Sequence, residues 1–128
     1  MNQRVVNPNE GIYPATPDYI HALEFTGATR QLYVSGTMGL APDGSAPESL
    51  DAQLDLVWSN IKAILAAAGM SVDNVVRVTS YLRSAEYVQA NQDARVAALN
   101  GRPVPTTSIL AETLTPDWKI EIEVIAAA

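Results

Sequence analysis

Residues 50–69, LDAQLDLVWSNIKAILAAAG, place Leu50, Leu54, Val57, Trp58, Ile61, Ile64, Leu65 and Ala68 at three- and four-residue spacing. That period predicts a helix of about five turns with one apolar face. Ser49 is the expected N-cap, Glu48 and Asp51 suit the positive end of the helix dipole, and Gly69 is the expected stop. An apolar stripe of this length must lie on a sheet or another helix, so the flanking sequence should supply strands.

It does so on both sides. Upstream, Tyr19–Phe25 alternates loosely and Gln31–Thr37 (QLYVSGT) is β-rich, with a turn at Thr26–Arg30 between them. The two are expected to form a hairpin. The first 18 residues hold Pro8, Gly11, Pro14 and Pro17 and promise at most a short strand around Arg4–Asn7. Pro42–Ser45 reads as a loop. Downstream, Asn74–Arg83 (NVVRVTSYLR) is a strand, and a second helix is expected from Ser84 to about Leu99, with the stripe Tyr87/Val88, Asn91, Ala94 and Ala98. Asn100-Gly101 and Pro103 end it. Thr106–Thr113 and Trp118–Ala126 close the chain as strands, the last alternating Ile120, Ile122 and Val124 against Glu121 and Glu123. The order β-β-α-β-α-β-β predicts one two-layer α+β domain over residues 1–128, with both helices on one face of a mixed sheet.

Composition narrows the function. Hydrophobic residues make up 48% of the 128 and charged residues 17%, which describes an ordered globular chain. So small a charged fraction, with a sheet face left without helices, points to burial by self-assembly. The net charge of −6, with eight scattered Lys and Arg, argues against nucleic acid as a partner. There is no cysteine and a single histidine, His21, so neither a thiolate nucleophile nor a Cys- or His-rich metal site is available. No secretory leader or spanning run is visible, and the expected compartment is the cytoplasm.

P-loop, GxGxxG, HExxH and GxSxG motifs are absent, and Ser35-Gly36 lacks the context of a nucleophile elbow. Three features rise above background. Asn91 interrupts an apolar stripe, where a buried amide either ties the helix to a loop or faces a ligand. Glu121 and Glu123 share one face of the last strand, as a solvated face or as a carboxylate set in a cleft to orient water. Thr106-Thr107-Ser108 offers neutral hydrogen bonds at the start of a strand, where threonine is also an ordinary residue. Tyr19 and His21 are weaker candidates, and a lone histidine is more often structural.

The ordered segments Tyr19-Ile20-His21-Ala22, Leu32–Gly36, Asn60–Gly69, Val75–Leu82, Asn91 and Lys119–Ala126 resemble the RidA/YjgF (L-PSP endoribonuclease-like) family. The resemblance covers most of residues 19–126. It implies a chorismate-mutase-like α+β fold, a homotrimer, and small-molecule clefts between subunits. Members acting as enamine/imine deaminases hydrolyse intermediates such as 2-aminoacrylate without metal or organic cofactor. By correspondence, Glu121 would place the water, and Tyr19, Ser35, Gly36, Asn91, Thr107 and Ile109 would line the substrate site. The family's Pro-x-Arg-Ser segment corresponds to Pro105–Ser108, which sets Thr107 where the family carries its carboxylate-clamping arginine. Arg102, just before Pro103, is not expected to reach in. A threonine hydroxyl replaces neither the charge nor the bidentate geometry of a guanidinium. The expected function is therefore a specialised enzyme hydrolysing an enamine- or imine-type intermediate other than 2-aminoacrylate. The alternatives are a non-catalytic trimeric ligand-binding protein and, less favoured on charge, an endoribonuclease.

Overall fold

Alternation in the last strand organises the sheet. In the computed structural model, which describes residues 1–128, β1 spans Asn2–Val6, β2 Ala22–Thr26, β3 Gln31–Met38, β4 Val75–Leu82, β5 Thr106–Leu110 and β6 Ile120–Ala127. The helices are α1, Leu50–Ala67, and α2, Val88–Ala98. Strand β6 lies inside a four-stranded sheet of order β3-β6-β4-β5, antiparallel to β3 and β4, while β4 and β5 run parallel. Successive side chains of a strand point to opposite faces. Ile120, Ile122, Val124 and Ala126 accordingly sink into the core, joined by Val34, Val78 and Leu82 from the neighbouring strands. Val57, Trp58, Ile61 and Leu65 of α1 close that core from the helix side. The predicted two helices on one face of a mixed sheet are present.

Helix α1 begins as its sequence predicts, with the Ser49 hydroxyl accepting from the Ala52 amide. Gly69 follows it with φ +68°, the left-handed conformation a side chain would disfavour. Helix α2 is preceded by a 3-10 turn at Ala85–Tyr87, whose Ser84 side chain accepts from Glu86 N.

The expected hairpin between Tyr19–Phe25 and Gln31–Thr37 does not form. β2 starts three residues later and pairs with β1 in a separate antiparallel ribbon, Asn2 opposite Thr26 and Val6 opposite Ala22. Gly27, at φ +73°, turns the chain away, and Thr29 and Arg30 donate to the Ala128 carbonyl, so β3 zips onto β6 instead. The physical reason is burial: β6 is apolar enough on its inner face to sit between two partners, and β2 is not. Tyr19-Ile20 makes a single parallel bridge from Ile20 to Pro105. The fifth strand also stops at Leu110, short of the expected Thr113.

Candidate functional site

The strand registers sort the candidate residues into two groups. On the helix-free face, Glu121 stands opposite Tyr81 of β4, Glu123 opposite Thr79, and Thr79 and Tyr81 opposite Thr107 and Ile109 of β5. One residue along β5, Thr106 and Ser108 turn to the other face. There they line a cavity of about 210 Å³ with Asp18, Tyr19, Asn91 and Arg95. Glu121, Gly36, Thr107 and Ile109 thus lie together on the open face. Tyr19 and Asn91 lie together behind the edge strand β5, and a single subunit does not join the two groups.

Gly36 sits where β3 breaks register. Pairing with β6 shifts between Val34 and Thr37, so Ser35 and Gly36 form an irregularity beside Glu121. A Cβ on Gly36 would collide with Glu121 Oε2 and come within 2.9 Å of its Cδ. The absent side chain is the space the carboxylate occupies. Glu121 accepts no hydrogen bond there. It also borders a cavity of about 150 Å³ walled by Tyr81, Ala111, Thr113 and Leu114.

That wall is braced from behind. Arg83 Nη1 donates to Thr113 O (2.9 Å) and Thr113 Oγ1 (3.0 Å), and Thr113 Oγ1 donates to Trp118 O (2.5 Å). Gln53, only 1% exposed on the core side of α1, donates through Nε2 to Pro47 O and Asp117 O, both at 2.8 Å, and accepts from Lys119 N at 3.0 Å. These bonds fix the entry of β6 and hence the height of Glu121. Neither Gln53 nor Arg83 is marked out in the sequence. Gln53 adjoins the apolar stripe and was the available signal.

Beside Glu121, the Tyr81 hydroxyl donates to Glu123 Oε1 at 2.6 Å. That bond, with burial and the charges of Glu123 and Glu121, raises the phenol above its ordinary 10.0. Arg77 Nη2 donates to Thr107 Oγ1 at 3.1 Å.

Behind β5, Asn91 is 1% exposed and its Oδ1 has no partner. Arg95 was not expected inside. Lying beside the predicted stripe, it forms a buried ion pair, Nη2 to Asp18 Oδ2 at 2.8 Å, while Nη1 donates to Asp18 O at 2.7 Å. His21 Nε2 lies 2.9 Å from Tyr13 O, and its ring stands edge-on to Tyr13 and Tyr19, so it pins the N-terminal segment. Arg102 donates to Val72 O and Val75 O at 2.9 and 2.7 Å, and burial lowers its pKa. It serves the loop, as expected. No group of three His, Asp or Glu side chains converges in metal-binding geometry, and no helix is long and apolar enough to cross a membrane.

A two-layer α+β protein, with helices on one sheet face and carboxylates and hydroxyls on the other, is the class these features define. The chain belongs to the RidA/YjgF family: residues 12–128 match the family described as Endoribonuclease L-PSP. It is 28% identical over 120 residues to the RutC family protein YjgH of Escherichia coli, covering 90% of this chain and 92% of that one. The crystal structure of YyfB, a Rid-family protein of unknown function from Yersinia pestis, superposes with a TM-score of 0.87 at 32% identity, over the whole of both chains. RidA from an Antarctic Psychrobacter gives 0.72 at 28% identity, covering 86% of this chain and 88% of that one.

Proposed function

We propose that three copies of this chain assemble through their helix-free faces, and that the clefts between them hydrolyse an enamine- or imine-type small molecule. The observation that carries this reading is Glu121, a carboxylate accepting no hydrogen bond, seated over Gly36 at the rim of a cavity. The case for assembly rests on exposed apolar residues: Tyr33 at 70% and Ile109 at 47% on the open face, and Leu114 at 89% in the loop beside Glu121. Surfaces of that kind mark contacts between proteins.

In this reading Glu121 takes a proton from water as the water oxygen bonds to the C=N carbon, whose π electrons move to nitrogen. The proton then passes to the nitrogen of the tetrahedral intermediate. Glu121, ionised again, takes the O–H proton of that intermediate as its C=O bond forms and its C–N bond breaks, giving a carbonyl compound and ammonia. An enamine enters by protonation at carbon. The Tyr81 hydroxyl, engaged by Glu123, helps fix the wall against which the substrate lies. The test is ammonia release from freshly generated enamines by the purified oligomer and by Glu121→Gln. Loss of release with unchanged oligomeric mass supports the assignment, and equal release rejects Glu121 as the base. A saturable ligand by calorimetry with no product by mass spectrometry would instead show a binding protein.

A further inference from the structure

Helices α1 and α2 lie side by side on the sheet, and a groove of about 430 Å³ runs between them, with Leu54, Trp58 and Lys62 of α1 facing Ala94, Ala97 and Ala98 of α2. The alanines keep it open, since three methyl groups cannot fill the space that larger side chains on α2 would take. Two donors of α1 border this space without a partner. Trp58 is only 4% exposed, yet its Nε1 finds no acceptor in the chain, and a buried N–H left unpaired is destabilising. Lys62, exposed at the rim, enters neither of the chain's two salt bridges. The two residues are four apart on one helix, so their side chains are neighbours. Both lean toward the helix N-terminus, which carries the Lys62 ammonium over the indole. The one acid on the groove, Asp55, is seven residues from Lys62, about 10 Å along the helix axis, and forms no ion pair with it.

We infer that this groove is a binding site for a small monocarboxylate with a compact apolar body. A carboxylate oxygen takes the Trp58 N–H, reached by a slight turn of the indole toward the alanine wall, and the Lys62 ammonium balances the charge. The hydrocarbon body covers Leu54 and the alanines and removes their apolar surface from water. An alcohol of the same shape accepts from the indole but leaves Lys62 without a counter-charge, and a protonated amine offers an acceptor to neither donor. The groove lies on the helix side of the sheet, across from Glu121, and stays open when copies assemble through their helix-free faces. The inference is therefore independent of the chemistry proposed for Glu121.

The chain has two tryptophans, Trp58 and Trp118, so its amide-type proton–nitrogen spectrum carries two indole signals, and Trp118→Phe assigns them. The experiment follows these signals while the purified oligomer is titrated with 3-methylbutanoate, 3-methylbutan-1-ol and 3-methylbutan-1-amine. The expected result is a saturable downfield shift of the Trp58 indole proton with the acid and none with the amine. The alcohol should bind about tenfold more weakly than the acid, the range of one charge-assisted contact. Lys62→Gln should bring acid and alcohol within about twofold of each other. Ala97→Leu, at an exposed position of α2 where leucine suits a helix, should fill the groove and abolish the shift. A Trp58 signal that the acid does not move, an equal response to acid and amine, or a shift that persists in folded Ala97→Leu overturns the inference. Glu121→Gln should leave the titration unchanged. A shift lost in that variant would place the acid in the Glu121 cleft and overturn the groove as its site, while loss of turnover alone bears only on the catalytic reading.

Discussion

Gly36 and Glu121 share one volume: the carboxylate of the second fills the place a side chain on the first would take. The colliding atoms are the far end of a flexible side chain, so Gly36→Ala should move Glu121 rather than break the sheet. The expected result is a fall in turnover of about tenfold or more with a melting temperature within a few degrees of wild type. Activity and calorimetry on the same preparation check it. A large loss of stability with normal turnover would show that the glycine serves the strand and not the carboxylate.

Gly39 gives the opposite outcome. A Cβ there would strike the backbone of Gln53, coming within 2.7 Å of its carbonyl carbon and Cα. Backbone cannot step aside as a side chain can. Gly39→Ala should therefore push α1 off β3 and cost about 2–4 kcal/mol in denaturant unfolding.

Gln53→Met keeps volume but leaves the Pro47 and Asp117 carbonyls and the Lys119 amide without their partner. The expected cost is about 2–4 kcal/mol, from buried polar groups left unpaired. Because those bonds fix the corner leading into β6, turnover should drop further than the folded fraction does. Kinetics corrected for folded protein measure the difference.

The Asp18–Arg95 pair makes stability depend on acid. Burial pushes the Asp18 carboxyl upward, but hydrogen bonds from Thr16 and Arg95 outweigh it, and the net pKa lies below the ordinary 3.8. A depressed carboxylate contributes stability that is present above pH 3.8 and lost as pH falls through the lower folded value. Asp18→Asn should cost about 2 kcal/mol near neutrality, where it leaves Arg95 without its counter-charge. The gap between wild type and variant should narrow below about pH 4, as the wild-type carboxyl protonates. Thermal melts across that range test the sign.

Periodicity and its flanking Ser49 and Gly69 made α1 legible from the sequence, and the strict alternation of Ile120, Ile122 and Val124 with Glu121 and Glu123 did the same for β6. The partner of β3 was not legible. Two adjacent β-rich runs look like a hairpin until β6, some ninety residues away, competes for one of them. Helix α2 was placed correctly but its burial was misjudged, since Arg95 reads as a solvent residue unless Asp18 is known to lie against it. The candidate residues could be named from segments resembling a family, but their division between two faces of β5 depends on register. Arg77 gave no sequence signal at all. Its contact with Thr107 follows from the register of β4 and β5, which sets the two residues on one diagonal.

The alternation along β4, β5 and β6 has an evolutionary consequence. Along β4 and β6, residues facing the open side alternate with residues that face the core, so the two sets can change independently. Exchanging Arg77, Thr107 or Ile109 leaves Val78, Leu82 and Val124 packed as before. Such a sheet can change the character of its open face by single substitutions without first loosening its interior.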